Sequence, residues 1–138
     1  MPPLSARLLA IVEALPLRPG LRVLEIGCGP GAMAREMAAR VGPKGAVLGI
    51  DRSARAIAQA EAGDSAPNLQ FRQSEGAAFK LARDEKPYDL AVAIRVGALD
   101  GRHANEEGAT LAAIRVALKP GGKLYIDGGH PLREVALR

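Results

Sequence analysis

The chain has 138 residues, 48% of them apolar and 25% charged, the balance expected of one globular domain over 1–138 with room for a real core. A single cysteine, Cys28, excludes an internal disulfide, and two histidines, His103 and His130, are too few for a zinc site, so no metal is expected. Nineteen basic residues against fifteen acidic ones give a net charge of +4, but they are scattered, with few aromatics to stack on bases, which argues against a nucleic-acid partner.

Residues 5–15 carry Leu8, Leu9, Ile11, Val12 and Leu15 at helical spacing. Pro16, Pro19 and Gly20 then break the chain. Residues 21–26 read as a buried strand, and 31–41 as a helix with Met33, Met37 and Val41 on one face. A second short strand is expected over 46–50, then a helix from its cap, Ser53, to about Ala62. The third strand is expected at 69–73, a short helix at 79–83, and a fourth strand at 88–95 around "LAVAI". A long helix over 104–118 aligns Leu111, Ile114 and Leu118. "KPGG" turns the chain into a fifth strand at 123–127, and the tail "HPLREVALR" is expected to start one more helix, with Pro131 in its first turn. No apolar run approaches membrane-spanning length, no signal peptide is read, and the expected location is cytoplasmic. Strands and helices alternate, which predicts an α/β fold: a doubly wound, mainly parallel sheet with helices on both faces.

The segment "VLEIGCGPG", 23–31, runs from the first strand into a glycine loop. In a parallel sheet, ligands bind beyond the carboxyl ends of the strands, where this loop belongs. Gly27, Gly29 and Gly31 leave space for close approach and permit positive φ, and N–H groups at the helix start favour an anionic ligand group. Asp51 ends the second strand, twenty residues past Gly31, where its carboxylate can accept both hydroxyls of a ribose or simply cap the next helix. Gly27, Gly29 and Ala32 also satisfy a loose dinucleotide fingerprint, so the glycines alone do not choose a nucleotide.

Four features narrow the choice: Glu25 two residues before Gly27, Gly31 one position early for a dinucleotide turn, Glu75 after the third strand, and "LKPGGKLYI" leading into the fifth. Together they resemble the class I S-adenosylmethionine-dependent methyltransferases, over 21–127. The resemblance implies a Rossmann-like fold, S-adenosyl-L-methionine as cofactor, and methyl transfer to an acceptor, expected to be a small molecule. It implies that Glu25, Gly27, Cys28, Gly29 and Gly31 surround the methionine part of the cofactor, that Asp51 with Arg52 binds the ribose, and that Glu75 lies near the adenine. "YDLAVAIRVG" then matches the family's fourth strand, bordering the transferred methyl, and puts Arg95 at the cofactor as well. An acidic Glu25 suits a ligand carrying sulfonium and ammonium charge, whereas it would repel a pyrophosphate. Two rivals remain: a module that binds S-adenosylmethionine or S-adenosylhomocysteine without catalysis, and a nicotinamide-dependent oxidoreductase.

The chain departs from the family's pattern in three places. "SEG" replaces the usual Gly-Asp pair after the third strand, and the signature of amino-methylating nucleic-acid enzymes is absent after the fourth. Arg95, Asp100, Arg102 and His103 follow the fourth strand instead. Arg95 and His103 are the candidates there for a catalytic role, and the partner of Arg95 is either a substrate carboxylate or Asp100. The usual C-terminal antiparallel hairpin is expected to be missing, so the sheet is expected to have five strands. Its fifth strand would then be an open edge, covered by the tail helix or by a second subunit in a homodimer.

Overall fold

A computed structural model describes residues 4–137. Helix α1, Ala6–Ala14, is capped by Ser5, whose hydroxyl accepts from the N–H of Leu8. It leads to β1, Arg22–Ile26, then α2, Ala32–Val41, and β2, Ala46–Asp51. Helix α3, Ala54–Ala62, starts at Ser53, whose hydroxyl accepts from the N–H of Ala56, and is followed by β3, Leu69–Gln73. Strand β4, Tyr88–Ala93, helix α4, Glu107–Ala117, β5, Leu118–Asp127, and β6, Leu132–Val135, complete the order. One sheet holds all six strands in the order β3-β2-β1-β4-β5-β6. The first five are parallel and β6 is antiparallel to β5.

The central strands are continuous apolar runs because the sheet is covered on both faces. On one face, Ile11 and Val12 of α1 and Met33, Met37 and Val41 of α2 pack on Val23, Val47, Leu90 and Val92. On the other, Ile114 and Ala117 of α4, with Phe79, pack on Leu24, Ile26, Leu48, Ile50, Ala91 and Leu124. Strand order reverses between β1 and β4, whose neighbours run outward in opposite directions. The crevice at such a switch point is where a doubly wound sheet admits ligand.

Several expectations need correction, among them the fourth strand, which ends at Ala93, two residues short of Arg95. The tail is a strand, not a helix: Leu132 to Val135 pair antiparallel with Asp127 to Leu124, so an antiparallel hairpin is present and the sheet has six strands. The edge of β5, expected to need a helix or a second subunit, is taken by β6 of the same chain. Residues 79–83 are not helical. The turn of 3₁₀ helix lies earlier, at Gly76–Ala78, and Phe79 follows in extended backbone, 5% exposed, as a plug in the core. The long helix expected over 104–118 begins as a 3₁₀ turn, Ala104–Glu106, and becomes α-helical only from Glu107. "KPGG" forms a bulge inside β5: Leu118 pairs with Tyr88 and Lys123 with Leu90, so the residues between are extruded.

Among the described residues, no helix is long and apolar enough to cross a membrane.

Candidate functional site

The carboxyl ends of β1, β2, β3 and β4 open into a cleft of about 340 Å³. Gly27, Asp51, Arg52, Glu75, Arg95, Arg102 and His103 all line it. Seven residues singled out in sequence are therefore brought to one place. Glu25, Cys28, Gly29 and Gly31 are not among its lining; Cys28, Gly29 and Gly31 build the loop beside it, and Glu25 lies on β1 beneath. His130 is exposed and also stands apart.

The loop after β1 holds its shape by steric exclusion. Gly27, Gly29 and Gly31 have φ of 71°, 54° and 89°, a region costly for residues with a Cβ. A Cβ on Gly27 would stand 2.9 Å from Cγ2 of Val96, and one on Gly31 2.5 Å from Cζ of Phe71. Cys28 is buried and turned toward β2, where a Cβ on Gly49 would meet its own Cβ at 2.9 Å. Burial and the acidic Glu25 and Asp51 raise its thiol well above the usual range, so Cys28 stays protonated and fills space.

Within the loop three N–H groups are engaged: Cys28 donates to Ile50 O, Gly29 to Oδ2 of Asp51, and Gly31 to Cys28 O, at 2.9, 2.9 and 3.1 Å; the first turn of α2, where an anionic group is expected, has no side-chain cap. Asp51 also accepts from the N–H of Ser53 through Oδ1 at 2.9 Å. It is thus the latch between the glycine loop and β2, while Ser53 is the helix cap. Each carboxylate oxygen retains a second lone pair, and Asp51 lines the cleft.

Glu25 lies under this loop, 4% exposed on a strand of apolar neighbours. Its Oε1 has no hydrogen-bond partner among the described residues. Burial, reinforced by the nearby Asp51 charge, pushes its carboxyl up to about 8. A buried, unpartnered carboxyl is costly by about 1–3 kcal/mol or more, and such a cost persists where a ligand relieves it.

Arg52 and Glu75 are exposed on the cleft's rim. Beyond β4, the alternative left open for Arg95 is decided against Asp100. The Asp100 carboxylate is held by Arg102, whose Nε donates to Oδ1 and Oδ2 at 3.0 and 2.8 Å. The His103 ring packs against Gly97, where any Cβ would collide with it, and the His103 backbone N–H donates to Gly97 O at 2.8 Å.

Several residues that shape the site carried no sequence signal. Arg35 ties the loop to α3, donating to Pro30 O at 2.8 Å and to Ala60 O at 3.3 Å. Val96 is the surface against which Gly27 sits. Asp127 accepts the N–H of Arg95 at 3.1 Å. Among the described residues, no cluster of three or more His, Cys, Asp or Glu could hold a metal ion.

The methyltransferase domain family matches residues 23–122, from the start of the glycine loop's strand to the bulge in β5. The chain belongs to the class I S-adenosylmethionine-dependent methyltransferase family. It is 34% identical to the nocamycin O-methyltransferase of Saccharothrix syringae over 98% of its own length and 47% of that protein. It is 36% identical to the ubiquinone/menaquinone biosynthesis C-methyltransferase of Ectopseudomonas mendocina, over 88% of this chain and 48% of that one. Among solved structures, a methyltransferase of Thiobacillus denitrificans in complex with S-adenosyl-L-homocysteine superimposes with a TM-score of 0.66 at 26% identity, over 91% of this chain and 49% of that one. The methyltransferase domain here spans a third to a half of the curated relatives it matches.

Proposed function

We propose that the chain is one cofactor-binding domain that holds S-adenosyl-L-methionine in the cleft and directs its methyl group to a small-molecule acceptor. The observation that carries this is the orphaned Glu25 carboxyl beneath a glycine loop whose left-handed backbone leaves room for close approach. That combination fits a ligand bearing ammonium and sulfonium charge. A dinucleotide fits less well, because its pyrophosphate gives the buried Glu25 carboxyl no cationic partner. When bound, S-adenosylmethionine supplies an activated methyl group that leaves its sulfur in a direct displacement.

The protein's part is to position. Glu25 neutralises cationic charge at the methionine end. Gly27 and Gly31 keep the loop free of side chains. Asp51 keeps the loop on β2 and turns its remaining lone pairs toward the ribose, with Arg52 beside it. Glu75 flanks the adenine end. The segment 95–103 forms the wall on the acceptor's side. Holding donor and acceptor in line supplies most of what such a reaction needs, and a base such as His103 is required only if the acceptor must lose a proton. The acceptor belongs to the cytoplasm in this reading, in keeping with the single unpaired thiol.

The test is incubation with methyl-labelled S-adenosylmethionine and a fractionated metabolite extract. Label should move into a small molecule, and Glu25→Gln should abolish the transfer. Cofactor binding without any labelled product would favour the non-catalytic module.

A further inference from the structure

We infer that Arg95 is the anchor for a carboxylate on the methyl acceptor. This rests on the reading of the cleft as a cofactor and acceptor site, and concerns which acceptors that site takes.

The backbone at Arg95 is held in an unusual state from both sides. Its φ is 59°, a left-handed conformation that a residue with a long side chain adopts only when its surroundings impose it. The N–H donates to Oδ1 of Asp127 at the end of β5, and the carbonyl accepts from Nη2 of Arg102 at 2.6 Å. Both clamps are themselves braced. Asp127 also pairs with Arg7 at 3.4 Å, and Arg102 is locked on Asp100. Two carboxylates close to Arg95 are thus occupied by other cations or by its own main chain. The Arg95 guanidinium makes no hydrogen bond or ion pair among the described residues, although it lines the cleft.

Position makes that free cation useful. The next residue, Val96, packs on Gly27, so Arg95 stands one residue from the loop that borders the cofactor. Of the acidic groups lining the cleft, Asp51 ends β2, Glu75 follows β3 and Glu106 lies in the turn before α4, while the unpaired guanidinium of Arg95 follows β4. An acceptor arriving on the β4 side meets a planar fork of donors, the geometry that grips a carboxylate through two parallel hydrogen bonds. The cofactor carries a carboxylate too, so the two sources must be told apart.

The experiment uses benzoate and its neutral counterpart benzamide as probes. Each is titrated into the full chain, alone and saturated with S-adenosylhomocysteine. Benzoate should bind at least tenfold more tightly than benzamide. Arg95→Gln should erase that preference and Arg95→Lys should keep part of it. Arg95→Gly, which suits the left-handed backbone and so guards against misfolding, should lose it as fully as Arg95→Gln. S-adenosylhomocysteine affinity should change less than twofold in all three. Equal binding of benzoate and benzamide to the wild type, or a preference that survives Arg95→Gln, overturns the assignment. A tenfold loss of S-adenosylhomocysteine affinity in Arg95→Gln also overturns it, since the carboxylate gripped is then the cofactor's. Failure of S-adenosylhomocysteine to bind at all would instead count against the cofactor reading, and the titration of the protein alone still judges the anchor.

Discussion

Replacing Glu25 by Gln separates stability from binding. The carboxyl sits at about 8 in the folded protein against an ordinary 4.5, first because it is buried and second because Asp51 is near. A folded-state pKa raised in this way means that the native state prefers the protonated form. Stability from this group is complete below about pH 4.5 and is lost as pH rises through about 8. Each pH unit of separation is worth about 1.4 kcal/mol. Burying this group, which takes up a proton on folding, therefore costs roughly 1 kcal/mol at pH 5.5 and on the order of 4–5 kcal/mol at pH 8.5. Gln keeps the shape and one unpaired polar end but cannot ionise, so its penalty is independent of pH. Urea unfolding of both proteins at the two pH values should show the variant gaining about 3 kcal/mol on the wild type between pH 5.5 and 8.5. The same variant should bind S-adenosylmethionine at least tenfold more weakly. A stability difference that stays constant across the two pH values would refute the idea that Glu25 is a buried carboxyl awaiting a ligand.

Gly31→Ala forces a Cβ into Phe71 at a φ of 89°, and thermal unfolding should show a loss of about 1–3 kcal/mol. Asp51→Ala removes the acceptor for Gly29 and Ser53; calorimetry should show cofactor affinity falling by at least tenfold, with about 1–2 kcal/mol of stability lost. Far from the cleft, the Glu85 carboxylate accepts from Arg72 at 3.0 and 3.2 Å and from the Tyr88 hydroxyl and Ala82 N–H at 2.6 Å. Burial opposes its charge, but these donors win and lower its pKa. Glu85→Ala should cost about 2–3 kcal/mol at pH 7, an effect that shrinks as pH falls through the carboxylate range, while cofactor affinity is unchanged.

The strands and the glycine loop were legible because their signals are local. Apolar runs such as Leu90 to Ala93 mark a sheet covered on both faces, and three glycines after such a run mark a turn at its carboxyl end. The tail was misread for a physical reason. Leu132 and Val135 are three apart, which on a helix would put them on one face. On an edge strand the same spacing puts them on opposite faces, and here Leu132 packs against one core and Val135 against the other. Phe79 and Leu81 likewise share a core at strand-like spacing, although their neighbourhood read as helical. The site's residues were legible as types, but their partners were not. Sequence offers Asp100 to Arg95 and to Arg102 alike, and only the fold of 95–103 awards it to Arg102. The Asp51 latch on Gly29 joins residues brought together by adjacent parallel strands, a contact no spacing rule announces.

The central claim is that this cleft is built for a sulfonium nucleoside. Calorimetric titration of the protein with S-adenosylmethionine, S-adenosylhomocysteine and NAD tests it most directly. Saturable one-to-one binding of the first two, at least tenfold tighter than any binding of NAD and weakened at least tenfold by Glu25→Gln for S-adenosylmethionine, is the predicted result. Tighter binding of NAD, or no binding of either sulfur nucleoside by the folded protein, would contradict it.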